Sequence, residues 1–222
     1  MVMKQPFTTT SPILASYDYR DLSGNTGFIK FYLAATRQAG ATTYRLSDQI
    51  IYSQSSDAAA SKVIETATTM STNAEYTKIQ DLDFDLSAFQ APQIIQGTAI
   101  LTIGTRSNTS GDRQPNYYNV FILKKVSGGV ETTVGTIQTD SFQGTGVAMW
   151  SVAMTCTKTN FKIGDILRLT VETWNRKTSG TTGTMTYAIG HDPMNRDGAY
   201  VIPTTQDNIT ASHALIPFAI EV

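Results

Sequence analysis

Tyr117-Tyr118-Asn119-Val120-Phe121-Ile122-Leu123-Lys124-Lys125-Val126, then Ser127-Gly128-Gly129, then Val130-Glu131-Thr132-Thr133-Val134-Gly135-Thr136-Ile137, is the stretch whose reading decides the fold. Its first part is rich in aromatic and β-branched residues and apolar on both parities through the middle, the pattern of a central strand covered on two sides. Ser127-Gly128-Gly129 supplies the positive φ angles of a tight hairpin, so 130–137 is expected to return antiparallel.

The same grammar extends in both directions. Upstream, Leu82, Phe84 and Leu86 alternate with Asp81, Asp83 and Asp85, a half-buried strand, and Thr98 to Thr105 adds another. Earlier still, Gly27 to Leu33 reads as a strand with Phe28, Lys30 and Tyr32 on one face and Ile29, Phe31 and Leu33 on the other. Tyr44 to Tyr52 is a further candidate. Residues 57–70 divide between a short helix capped by Asp57 and a β-branched run at Val63 to Met70, of which the strand is expected for the second half.

Downstream, Val147 to Thr157 places Trp150, Val152, Met154 and Cys156 on one face, so these four point to the core. Phe161 to Asp165 reads as a turn into a strand with Leu167, Leu169 and Val171 inward and Arg168, Thr170 and Glu172 outward. After a Gly- and Thr-rich loop come Thr184 to Ile189 and finally Ala214 to Val222, whose terminal position suits an edge or closing strand. The tally is roughly nine to eleven strands, without β/α alternation and without a repeat of about 20 to 50 residues. The expected fold is all-β, a jelly-roll-type antiparallel β-sandwich. Patterning strengthens near residues 72 to 76, so residues 1–75 are expected to form an N-terminal arm or small β subdomain for attachment, and 76–222 the sandwich.

Composition narrows the function classes. Charged residues are 16% of the 222, the net charge is −1, and threonine alone reaches 34. A wet β surface with little charge follows, and no field of one sign is available to capture nucleic acid or an anionic membrane. Cys156 is the single cysteine, which excludes an intrachain disulfide and fits a buried thiol in a reducing cytosol. The first residues lack the apolar core of a signal peptide, and no apolar run is long enough for a bilayer helix. A soluble, unsecreted protein is the expectation.

Candidates for chemistry are few. His191 and His213 are the only histidines, too few for a His-rich metal site. Asp192, Asn195 and Asp197 offer oxygen ligands for calcium, but their spacing fits turn chemistry better than an EF-hand loop. Asp81, Asp83 and Asp85 lie about 6.8 Å apart along one strand face, a separation that overlaps that of inverting glycosidases. A solvated face is the expected account, because glycosidases set acid and base on separate elements. No phosphate-cradling loop is present. The resulting expectation is a protein that is not an enzyme, with no catalytic residue, cofactor or metal. Trp174 lies on the outward parity of its strand, and with Tyr117 or Tyr187 is a candidate contact for a glycan or a subunit. Tyr17, Tyr19, Phe28, Phe31 and Tyr32 are candidates for attachment or an interface, against the alternative of an ordinary core.

Several stretches together resemble a group of tailed-bacteriophage virion structural proteins. They are Ile13-Leu14-Ala15-Ser16-Tyr17-Asp18-Tyr19, Gly27-Phe28-Ile29-Lys30-Phe31-Tyr32, Asp81-Leu82-Asp83-Phe84-Asp85-Leu86, Gly164-Asp165-Ile166-Leu167-Arg168-Leu169, and the ending from Gly190-His191-Asp192-Pro193 to Ile216-Pro217-Phe218. The resemblance implies a capsid decoration or cement protein of jelly-roll fold on the capsid exterior, made in the host cytoplasm. Its partners would be the major capsid protein and copies of itself in a homotrimer, with no nucleic acid and no membrane, and its N-terminal part would grip the shell. The alternative is a carbohydrate-binding or receptor-binding virion protein that recognises a host glycan.

Overall fold

The computed structural model describes residues 26–37, 43–48, 63–70, 73–109, 115–177, 183–190 and 212–219. Twelve strands run through them: β1 (Thr26–Arg37), β2 (Tyr44–Ser47), β3 (Val63–Met70), β4 (Asn73–Asp85), β5 (Gln93–Thr109), β6 (Pro115–Ser127), β7 (Val130–Gln138), β8 (Phe142–Gln143), β9 (Gly146–Phe161), β10 (Ile166–Lys177), β11 (Gly183–Gly190) and β12 (His213–Ala219). No helix occurs among the described residues. The all-β reading and its sandwich of jelly-roll type hold.

The strands form one hydrogen-bonded path, β3-β11-β5-β12-β1-β2-β4-β10-β6-β7, with β8 attached to β6 and β9 to β5. The path folds over into two layers. One contains β9, β5, β12, β1, β11 and β3; the other contains β4, β10, β6 and β7. They meet through β2, which pairs antiparallel with β1 and, over Tyr44↔Phe84 and Arg45↔Asp85, parallel with β4. β5 is the longest strand, and its length is used: β9 runs along one edge, while β12 and β11 share the other edge end to end. Where the layers close on each other, β7 comes so near β9 that a Cβ on Gly135 would lie 2.7 Å from the Thr155 carbonyl oxygen.

The interior is built from the alternation seen in the sequence. Leu101, Ile103 and Met154 project from one layer, Phe84, Leu123, Leu169 and Val171 from the other, all fully buried. Burying each such side chain is worth roughly 1.5 to 3 kcal/mol. Trp150 has the expected inward parity but is half-buried, packed edge-on against Phe142, with its indole N–H donating to Thr105 Oγ1 at 2.9 Å. Cys156 is a buried free cysteine, and burial pushes its thiol pKa up. Gly128 and Gly129, at φ of 56° and 82°, make the hairpin between β6 and β7.

One expectation changes. Ala214 to Val222 was expected at an edge or as a closing strand, yet β12 lies between β5 and β1. Non-local pairing decides strand order, and a position late in the sequence carries no information about it. The region 57–70 is a strand in its second half, as expected, and residues 57–62 lie outside the described residues. Of the first 75 residues, β1 pairs with β12 and β3 with β11, within the same sheet as the strands that follow.

Candidate functional site

Antiparallel register puts directly opposed side chains on one face. In β10 and β4 the opposed pairs are Arg168↔Asp85, Thr170↔Asp83 and Glu172↔Asp81, which brings the three aspartates against a cation and a hydroxyl from a strand more than 80 residues away. Arg168 donates through Nε to Asp85 Oδ1 at 2.6 Å and through Nη2 to Asp85 Oδ2 at 2.8 Å, a two-point clamp. Its Nη1 lies 3.2 Å from Asp83 and 2.5 Å from Glu131, and Lys124 closes on Glu131 at 2.8 Å. Thr170 donates to Asp83 at 2.6 Å. Lys78 bridges Asp81 at 2.6 Å and Glu172 at 3.1 Å.

The expectation of a solvated acidic face therefore needs correction at its Asp85 end. Asp81 is exposed, but Asp85 retains only 6% exposure and Thr170 only 1%, because Arg168 and its partners cover them. The electrostatics follow from the contacts. The Asp85 hydrogen bonds, then the neighbouring carboxylates, hold the Arg168 proton more tightly than usual. The Lys124 hydrogen bond, with Arg168 adding to it, draws Glu131 below the ordinary carboxylate range. A carboxyl shifted in that direction is a poor proton donor near neutrality.

Beyond Glu172 the same face becomes aromatic. Trp174 opposes Tyr118 across β10 and β6, their ring planes within 8° and centroids 6.3 Å apart. Tyr76 of β4 meets Tyr118 edge-on at 4.7 Å and donates its hydroxyl to Asn116 at 3.0 Å. Arg176 covers the Tyr76 ring at 4.6 Å. The Trp174 indole N–H donates to Glu172 at 2.8 Å. All four of Tyr76, Tyr118, Trp174 and Arg176 are half-buried.

Trp174 is thus at the surface as expected, but its companions are not. Tyr117 and Tyr187 are fully buried and cannot serve as surface contacts for a glycan or subunit. They meet edge-on at 5.1 Å between the layers, and the Tyr187 hydroxyl donates to Asn119 Oδ1 at 2.7 Å, beside Thr173 at 3.1 Å. Burial pushes both phenols upward. Tyr118, the neighbour of Tyr117, is the residue that sequence reasoning missed. The signal was available in the outward parity shared with Trp174, but β6 is apolar on both faces and periodicity could not choose between the adjacent tyrosines.

The N-terminal candidates separate as well. Phe31 is buried, 6.1 Å from Phe218, so it belongs to the core and not to an exposed attachment surface. Phe28 and Tyr32 are half-buried on the outward side of β1, with Lys30 5.0 Å from the Tyr32 ring and His213 at 6.5 Å. Tyr17, Tyr19, His191, Asp192, Asn195 and Asp197 lie outside the described residues. Among the described residues no three His, Cys, Asp or Glu side chains are grouped to hold a metal.

The sequence matches no family model and no curated protein. Solved structures do share its fold. An α-amino acid ester hydrolase has a TM-score of 0.53 at 13% identity, over 86% of this chain and 36% of that one. An aminopeptidase from a marine sediment archaeon, Thaumarchaeota archaeon, has a TM-score of 0.53 at 9% identity, over 88% and 37%. Infectious bursal disease virus, Gx strain, is also matched, with a TM-score of 0.34 at 11% identity over 73% and 35%, a level that carries no argument. The chain spans little more than a third of the hydrolases it matches. These identities establish likeness of fold alone. They still overturn the expectation of a protein that is not an enzyme: a sandwich of this kind occurs within hydrolase chains, so the all-β architecture gives no ground for excluding catalysis.

Proposed function

We propose that this chain is a structural component of a virus particle, a decoration protein on the exterior of a tailed-phage head, bound to the shell protein and to copies of itself. The observation that carries the reading is the outer face of the layer opposite the ion-paired strands. Two rows cross it in register, Ala153-Ile100-Leu215-Lys30 and Ser151-Thr102-His213-Tyr32, spanning β9, β5, β12 and β1. Lys30 alone among these eight carries a fixed charge, and Met149 and Ile100 nearby are 57% and 38% exposed. A weakly apolar, nearly uncharged surface can be desolvated against a protein lattice without stranding charges. The phage-protein resemblance of the β1, β4 and β10 segments supports the same reading.

Light scattering of the purified chain tests the self-association, with an expected mass three times that of the 24.2 kDa chain. Mixing it with heads that lack it should give saturable, stoichiometric binding, reduced when Ile100→Asp places a charge in the central row. A monomer that ignores such heads would discard the proposal.

The likeness to two hydrolases over 86% and 88% of this chain favours a second reading, the sandwich portion of a hydrolytic assembly. Turnover of an amino-acid ester by the full chain would favour it over the first.

A further inference from the structure

The aromatic end of β10 differs from an ordinary surface cluster in three respects. The first is shape. The rings of Trp174 and Tyr118 stand parallel with centroids 6.3 Å apart, and Tyr76 closes edge-on against Tyr118, so three aromatic side chains gather on one face. The second is rigidity. The indole is tied through its N–H to Glu172, which is itself held by Lys78, and Tyr118 is backed by the edge of Tyr76, whose hydroxyl is fixed on Asn116. Rings locked before binding lose little entropy when they bind. Lys78, which Glu172 shares with Asp81, and the indole N–H offset part of the Glu172 charge beside the rings.

The third respect is Arg176. It points the same way as Arg168, but it lies on the Tyr76 ring, and its buried Nε has no protein acceptor. A weakly hydrated, planar guanidinium laid on a ring is suited to a two-point hold on a carboxylate or sulfate.

We propose that Trp174, Tyr118 and Arg176 form a binding site for an acidic glycan, the C–H face of a pyranose packing on the indole, which Tyr118 backs, and its carboxylate or sulfate held by the guanidinium. The site lies on the layer opposite the neutral docking face, so it does not depend on the virion reading and can operate while that face is occupied.

The test is a printed panel of sialylated, uronic-acid and sulfated oligosaccharides beside neutral ones, followed by calorimetric titration of the full chain with the strongest binder. Acidic members should bind and neutral ones should not, with affinity falling as sodium chloride is raised. Trp174→Ala and Arg176→Met should each weaken binding at least about tenfold, the scale of a lost stacking or charge-assisted contact. Arg176→Lys should not restore it, because a point charge cannot reproduce the two-point hold. If Trp174→Ala fails to fold, Arg176→Met carries the test alone. The proposal is overturned if no acidic oligosaccharide binds, or if Arg176→Met leaves the affinity for the acidic binder unchanged. Attachment to heads, measured with the same variants, should be unaffected, which separates failure of this site from failure of the docking face.

Discussion

Arg168 and Arg176 stand on the same side of one strand, roughly 27 Å apart by the rise of an extended chain, and the structure treats them in opposite ways. Arg168 is saturated: Asp85 grips it at two points while Asp83 and Glu131 crowd its remaining nitrogen. Arg176 has an aromatic ring beneath it and a buried Nε with no protein acceptor. A cation with every nitrogen engaged is a structural element, whereas one with a donor left over can meet something from outside. Residue type alone does not distinguish them; the partners supplied by β4 and β7 do.

The widest separation between the two ends should appear on deleting each arginine. Arg168→Met strands Asp85 beneath the surface, and a loss of about 2 to 4 kcal/mol is expected, at or below the usual cost of breaking a buried pair because the site is partly open. Arg176→Met should cost only about 1 kcal/mol, the worth of a half-buried cation on a ring. Denaturant midpoints at constant slope would measure both, and equal losses would erase the distinction. Adding Asp85→Asn to Arg168→Met should recover part of the first loss, since the stranded charge goes with it.

Acid offers a gentler separation. Glu131 titrates below its unfolded value of about 4.3, so its contribution is complete above that pH and fades as pH falls through the lower folded value. Asp165, whose carboxylate accepts the Lys162 backbone N–H at 2.7 Å and pairs with Lys125, lies at about 2 and behaves alike between about 4 and 2. Asp165→Asn should flatten the acid limb of the stability curve, whereas Trp174→Ala at the aromatic end should leave its shape unchanged. A parallel shift of both curves would contradict this assignment.

What could be read from the sequence was whatever depends on neighbours along the chain. The alternation of Leu82 and Phe84 with aspartates, the Gly128-Gly129 hairpin and the inward set Trp150, Val152, Met154 and Cys156 all appear in the folded protein with the expected parity. Two strands were cut differently or passed over: β2 ends at Ser47, short of the residues expected to continue it, and β8 has only two residues. What could not be read depends on register between distant segments. Nothing local to Asp85 announces Arg168, and nothing local to Tyr118 announces Trp174. The candidate site was half legible for that reason. Trp174 was found by parity, but its true neighbours required the order of β4, β10 and β6.

The place of β12 has a consequence for how the chain comes off the ribosome. β1 is flanked by β2 and β12, so one edge of it stays open until residues 213–219 have been made. At about 5 to 20 residues per second that wait lasts roughly 10 to 40 s, during which unpaired backbone is available to the wrong neighbour. Loss of the last dozen residues would therefore be expected to damage the earliest described strand as much as the latest, and nascent copies crowded on one message would be prone to lend each other the missing edge.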